Sequence, residues 1–369
     1  MSWYSINTAI MIQTLKLNIP EIKQIWLVDD SAGGGRLAHL YNWYKHLEEQ
    51  GKKYGDLVNG PKCWLIVKTQ ELAKQAEQIS GEEVKITTEG KRYLGAVIGS
   101  KEYKDEYCKE KIQGWVQDIS SLTEIAKSQP HAAYIALTKA YKSKFTYFMR
   151  TIEAFEEYVE SIHETLNDIL LPQFFGQEEP LASELRELVT LTLAQGGLGV
   201  PNLRIEALLQ YAASKLFTNQ HVNSIKRQNE ALEPIEQSID DLKRMQQANK
   251  AEIIQSRMDN IDATLSPDLL FLVKQSQDKG ASSWLNAIPL KDQGLALNQQ
   301  EFRDSLQMRY NLTLNDLPSH CACGDRFNIN HALSCKKGGF VAQRHNGIRN
   351  FLTAQLDKVC KNVEIEPHL

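Results

Sequence analysis

No apolar stretch in this chain approaches the ~20 residues of a membrane-spanning helix. No basic N-terminal region leads into an apolar core, so no secretory signal is expected. Internal repeats and low-complexity tracts are absent. Aspartate is missing from residues 1–28. Cysteine is scarce: of the six, Cys321, Cys323 and Cys335 fall within fifteen residues, while Cys63, Cys108 and Cys360 are scattered. That distribution excludes a disulfide framework and points to a reducing compartment and a metal site. The expectation is an intracellular protein, nuclear or cytoplasmic and not secreted, with no membrane partner.

What the chain has is length, 369 residues, enough for two or three domains and a sizeable core. At 42% hydrophobic and 24% charged it reads as globular rather than disordered. The net charge of −4 does not announce a polyanion binder, but the charge is unevenly placed. Residues 84–150 carry 12 Lys/Arg against 7 Asp/Glu, and residues 151–190 carry 10 Asp/Glu against one Arg. One face toward a polyanion and one away would produce that reversal; so would two differently charged solvated helices.

The spacing of apolar and turn residues predicts an α+β fold. Residues 6–18 have helical spacing, 22–28 are β-rich, and 36–50 return to helix, ended by Gly51 or Gly55. Residues 62–68 (KCWLIVK) predict a buried strand and 71–79 a short helix. Residues 84–87 and 93–98 predict two strands joined across Glu89-Gly90-Lys91. After Gly99 the spacing is helical, broken at Pro130. Residues 234–261 predict a long amphipathic helix, either in a helix hairpin or as a self-association surface, which leaves the oligomeric state open. Further helices are expected at 300–310 and about 345–360.

The chemistry starts at Asp29-Asp30, at the end of the apolar run Ile25-Trp26-Leu27-Val28 and just before Ser31-Ala32-Gly33-Gly34-Gly35. Two adjacent ionised carboxylates repel, and a divalent metal relieves the repulsion because hard cations prefer oxygen ligands. A polar turn after a strand looks the same. Downstream come Leu57-Val58-Asn59-Gly60-Pro61-Lys62 and Gly90-Lys91-Arg92-Tyr93-Leu94-Gly95. These three patterns, in this order within one α+β segment, resemble the palm motifs of reverse transcriptases. Trp26-Leu27-Val28-Asp29-Asp30 is similar to the x-x-D-D motif, with Val28 where Ala is usual. The resemblance implies a β-hairpin tip with Asp29 as a magnesium ligand and Asp30 beside it. It also implies Lys62 near the incoming triphosphate, and Arg92 and Tyr93 along a primer backbone.

Three more blocks resemble the non-LTR, LINE-like retroelement polymerases: residues 129–152, Gly196-Gly197-Leu198-Gly199-Val200-Pro201-Asn202, and Gly280-Ala281-Ser282-Ser283-Trp284-Leu285. The likeness thus runs over nearly the whole chain. It implies a partial palm over 1–100, a helical thumb or connection over 101–265, and a C-terminal segment with a zinc-type module over 266–369. In the thumb block Lys139, Lys142, Lys144 and Arg150 interleave with Tyr141, Phe145, Tyr147 and Phe148. The lysines are the candidate nucleic-acid contacts, and most of the aromatics are expected in the core.

Cys321-x-Cys323-x7-His331-x3-Cys335 places four soft or borderline ligands in reach of one tetrahedral zinc. His320 is an alternative ligand, and the single residue between Cys321 and Cys323 is a tight gap for such a site. His331 and Cys335 would share one face of a helical turn. Lys336, Lys337, Arg344, His345 and Arg349 follow and offer a phosphate-facing surface.

The resemblance implies an RNA-directed DNA polymerase using two magnesium ions for nucleotidyl transfer, with an RNA template and a DNA primer or target DNA as partners. In that family the first catalytic aspartate lies on a palm strand upstream of x-x-D-D, whereas residues 1–28 contain none. The chain therefore reads as an N-terminally truncated copy, inactive as an isolated polymerase. The alternative is a non-catalytic remnant that binds nucleic acid through its thumb and zinc module.

Overall fold

The computed structural model describes residues 2–28, 30–228, 238–314, 317–337 and 339–365. The fold is α+β, 65% helical with a few short strands. It divides into two compact units, Met1–Tyr310 and Asn311–Leu369.

The first unit opens with α1 (Ser2–Asn18), strands β1 (Lys23–Leu27) and β2 (Asp30–Gly34), and α2 (Leu37–Tyr54). β1 and β2 are antiparallel, with Leu27 paired to Asp30. Met11, Leu15, Ile19, Ile22, Trp43 and Leu47 form the buried cluster behind them. β2 contains Gly33 and Gly34 despite the low strand propensity of glycine. Space is the reason: a Cβ on Gly33 would stand 3.1 Å from the Trp43 ring, and one on Gly35 2.4 Å from Ile22. The glycines admit Trp43 onto the hairpin, where its indole donates to Gln24 Oε1 at 3.1 Å, as does that of Trp26.

Next come β3 (Trp64–Ile66), α3 (Gln70–Ser80), β4 (Lys85–Thr87), β5 (Gly90–Tyr93) and β6 (Ala96–Gly99). Two sequence expectations do not hold. The strand expected to be buried is three residues long, half-buried at Leu65 and Ile66 and exposed at Trp64. Residues 84–87 do not pair with 93–98. β4 lies parallel to β3, with α3 as the crossover that parallel pairing requires. The hairpin is β5–β6, and its turn is Leu94-Gly95, at φ 49° and 84°, rather than Glu89-Gly90-Lys91. A two-residue hairpin turn needs positive φ, which glycine accepts most easily.

The helical remainder comprises α4 (Lys101–Ser128), α5 (Pro130–Ile135), α6 (Lys142–Thr151), α7 (Glu160–Glu164), α8 (Leu171–Phe175), α9 (Ser183–Thr190) and α10 (Leu203–Arg227). It continues with α11 (Ile239–Thr264), α12 (Pro267–Ser276) and α13 (Gln299–Arg309). π-helical turns join α5 to α6 and α7 to α8. Trp115 packs edge-on against Phe145, Phe148 and Phe155, and Tyr134 against Phe174. Of the expected long helix, residues 234–237 lie outside the described residues, and α11 buries only Ile261.

Boundaries expected near 100 and 265 fall inside this unit because hydrogen bonds cross both. Tyr107 donates its hydroxyl to Gly95 O at 3.0 Å, and Tyr147 donates to Leu94 O. Arg303 of α13 donates to the carbonyls of Ala126 and Lys127 at the end of α4 and of Gln173 in α8. Buried Tyr134 and Tyr310 donate to the carbonyls of Leu198 and Gly196, which fixes the glycine-rich segment between α9 and α10 as a structural joint.

The second unit contains α14 (Ile329–Ser334) and α15 (Phe340–Leu356). Cys321 and Cys335 are its only buried side chains among the described residues.

Candidate functional site

In the second unit the donor atoms of Cys321, Cys323, His331 and Cys335 all lie within 4.8 Å of one another. Two come from a turn, His331 comes from α14, and Cys335 is the residue that ends that helix. Cys321 O accepts from Gly324 N at 2.9 Å, and Cys321 N donates to Asp325 O at 2.9 Å, closing a loop around Cys323. Gly324 takes φ 94°, a conformation that suits glycine, and this turn is what accommodates the one-residue gap. Asn328 caps α14 by accepting from His331 N at 2.8 Å. His331 and Cys335 then fall one turn apart, with Cys335 N donating to His331 O at 2.8 Å.

The Cys321 and Cys335 sulfurs are 3.7 Å apart. A tetrahedral ion with metal–sulfur bonds of ~2.3 Å sets its sulfurs about 3.8 Å apart. Cys323 Sγ lies 3.2 Å from His331 Nε2. The backbone N–H of Asp325 favours the Cys323 thiolate, but burial and the sulfurs of Cys335 and Cys321 outweigh it and push the thiol up to about 11. A bound cation reverses that balance, since it coordinates thiolates. The tetrad can hold a metal ion, and its sulfur-rich donor set fits a soft or borderline one. His320 is outside the group; its Nδ1 is 3.1 Å from Ser319 Oγ. Lys336 and Lys337 follow Cys335 directly and are exposed, as is Arg344 in α15.

In the first unit Asp29 lies outside the described residues. Asp30 opens β2 and is exposed. Val28, in the two-residue connection between Leu27 and Asp30, has φ 57°, an unusual conformation for a β-branched residue. Lys62 sits exposed at the end of the 3-10 turn Gly60–Lys62. Arg92 is exposed on β5 and Tyr93 is half-buried. Burial raises the Tyr93 phenol and the negative charge of Asp30 adds to the shift, so these two sequence-distant residues are electrostatic neighbours. The Tyr93 hydroxyl is buried with no hydrogen-bond partner.

The other lysine candidates are engaged within the fold. Lys139 donates to Asn286 Oδ1 at 2.9 Å. Lys142 pairs with Glu206 at 3.2 Å and Lys144 with Asp118 at 3.6 Å. Phe145 is buried in the core, while Tyr147 remains 40% exposed. Nothing in the sequence marks Trp64 as exposed, because a tryptophan in a short apolar run looks like core. Its exposed indole is flanked by Lys85 and Lys91.

Among the described residues the Cys/His tetrad is the only group of three or more His, Cys, Asp or Glu donors close enough to share an ion. No described helix is long and apolar enough to cross a membrane. No protein-family model, curated protein or solved structure matches the chain.

Proposed function

We propose that this chain is the palm-to-zinc portion of a retroelement-type reverse transcriptase and that it engages an RNA template with a DNA primer or target DNA. The observation that carries the reading is the meeting of two separated motifs. Asp30 opens the second strand of a tight hairpin, and Tyr93, from a second hairpin, is close enough to feel its charge. The strained Val28 beside the carboxylates supports it, because strained backbone concentrates at functional sites.

In this reading β1–β6 with their helices form the palm segment, and the helices after Gly99 form the thumb. Asp29 and Asp30 would hold magnesium, with Lys62 near the triphosphate and Arg92 and Tyr93 along the primer. The magnesium role rests on the resemblance. Lys139, Lys142 and Lys144 reach a phosphate only by exchanging their present partners, which lowers the net gain from each. Zinc is the ion we assign to Cys321, Cys323, His331 and Cys335, with Lys336, Lys337 and Arg344 as adjacent phosphate contacts.

The alternative is a non-catalytic remnant that binds nucleic acid through its thumb and zinc module; the Cys/His tetrad, the one potential metal-binding group among the described residues, belongs to that binding part. One experiment tests both readings. The purified chain is titrated with an RNA–DNA primer–template at rising salt, then supplied with magnesium and nucleotides. Salt-sensitive binding is expected. Primer extension abolished by Asp29→Ala would establish the polymerase, while binding without extension would establish the remnant. No binding at low salt would sink both.

A further inference from the structure

Trp64 is the most open of the described tryptophan side chains, with 39% of its surface exposed. Strand register puts Lys85 of β4 directly beside it. Lys85 Nζ lies 5.5 Å from the indole centroid and Lys91 Nζ, from β5, 3.9 Å. Neither ammonium has a carboxylate partner among the described residues. Lys45, Lys142 and Lys144, by contrast, are all paired. Lys62, on the turn that leads into β3, is exposed and unpaired as well.

The strand geometry extends this cluster. Along β5, Lys91 and Tyr93 share one face and Arg92 takes the other, and burial alternates accordingly. Tyr93 neighbours Asp30 and Lys91 covers Trp64, so one strand face connects the acidic hairpin to the exposed indole.

We propose that Trp64, Lys85 and Lys91 form a platform for single-stranded nucleic acid. Backbone phosphates meet the two ammoniums, and a base stacks on the open part of the indole. The proposal rests on the nucleic-acid reading above and names a subsite within it. Lysine stems routinely cover apolar surface. That accounts for cations resting on a ring, but not for an open ring beside two cations without acidic partners. Trp64 and Lys85 stand opposite each other on the paired strands β3 and β4, and Lys91 stands on β5, so all three are held on strands rather than on a loop.

The test uses the full chain and a fluorescein-labelled single-stranded RNA of about 20 nucleotides, longer than the ~4–16 that such sites cover. Anisotropy titrations are run across a range of salt concentrations. Trp64→Ala is expected to weaken binding about tenfold with the salt slope unchanged, and Trp64→Phe to retain most of the affinity. The double variant Lys85→Ala/Lys91→Ala is expected to reduce the log–log salt slope by about 1.4, at ~0.7 per phosphate contact on a single strand. Wild-type binding with unchanged affinity and slope in these variants overturns the platform and leaves the nucleic-acid reading standing. A Trp64→Ala loss that tracks a loss of thermal stability, with a normal slope in the lysine variant, assigns Trp64 to packing and overturns the platform too. Absence of any wild-type binding overturns both proposals together.

Discussion

The two units of this chain are built on opposite principles. Met1–Tyr310 buries large side chains: Tyr134, Phe145, Phe155, Phe174, Phe175, Phe302 and Tyr310 are each less than 2% exposed. Asn311–Leu369 buries only Cys321 and Cys335 among its described residues, while Ile348, Phe351, Leu352 and Val359 are 57%, 62%, 53% and 82% exposed. A segment this short cannot offset chain entropy with so little apolar burial. Its interior is a set of side chains that could hold a metal ion. The difference teaches that the first unit is held by packing, whereas the second gathers a tetrad that could hold a metal ion where a core would be; an ion bound there would contribute its binding free energy directly to the folding of that unit.

Removing any bound metal should separate the two units most sharply. A chelator, or Cys335→Ser, is expected to abolish amide protection around the Cys321–Asp325 turn and α14, and to leave α4, α10 and α13 protected. Structural zinc in small modules contributes about 10–16 kcal/mol, the largest effect anticipated here. Hydrogen exchange with and without metal reads it. Full protection of residues 317–365 in the metal-free protein would dismiss coordination as the source of their stability.

A packing lesion should do the converse. Phe302 is fully buried, with its ring stacked on His131 and edge-on to Trp284. Phe302→Ala is expected to cost about 3–5 kcal/mol, from lost burial plus the cavity left behind. Urea denaturation should show the first unit's transition at a lower midpoint, while the metal content per chain matches that of the wild type. A fall in metal content relative to the wild type would show that the two units do not stabilise independently.

How far the sequence foretold this depended on whether information was local. Helix spacing placed α2, α3, α4 and α13 within a few residues, and Pro130 marked the start of α5 as expected. The Cys/His spacing foretold the tetrad, because its ligands lie within fifteen residues and a turn and a short helix suffice to gather them. Strand partners were not legible. Residues 84–87 satisfy a hairpin pattern with their neighbours, yet β4 pairs with β3 across a helix, a choice made by tertiary packing. The glycines of β2 looked like a break because the residue that needs the space, Trp43, lies in the following helix. The exposed side of Trp64 was equally hidden, since composition cannot tell a buried indole from an open one.

A smaller effect should appear on acidification of the first unit. His131 is 2% exposed and its Nδ1 accepts from Leu297 N at 3.3 Å. Burial lowers its affinity for a proton, and the Ala287 carbonyl offsets this only in part. Its folded value is therefore below the ~6.5 of the unfolded chain. Protonation then favours the unfolded state, so the contribution of His131 is present above about pH 6.5 and is lost as pH falls through the folded value. His163, depressed by burial and by the charge of Arg204, acts with the same sign. Denaturation midpoints measured between pH 7.5 and 5 should fall, and His131→Gln should flatten the fall. An equally steep decline in that variant would remove His131 from the explanation.

The smallest expected effect tests the acidic hairpin itself. Val28 holds φ 57° because Leu27 and Asp30 must pair across two residues. β1 is pinned on its other side, where the Gln228 amide exchanges hydrogen bonds with the backbone of Gln24. A left-handed conformation costs a side-chain-bearing residue roughly 1–2 kcal/mol, most for a β-branched one. Glycine removes that cost but gives back roughly 0.5–1 kcal/mol through the greater freedom of the unfolded chain. Val28→Gly should therefore stabilise the first unit by about 0.5–1 kcal/mol, a shift of a few degrees at most in a chain of this size. A destabilising result would mean that the valine side chain contributes packing worth more than its strain. A stabilising one would show that the turn tolerates a residue worse than the best available one. Neighbours that fix β1 and β2 this firmly can carry such strain, and that firmness is what a pair of adjacent carboxylates needs if it is to be presented in one orientation.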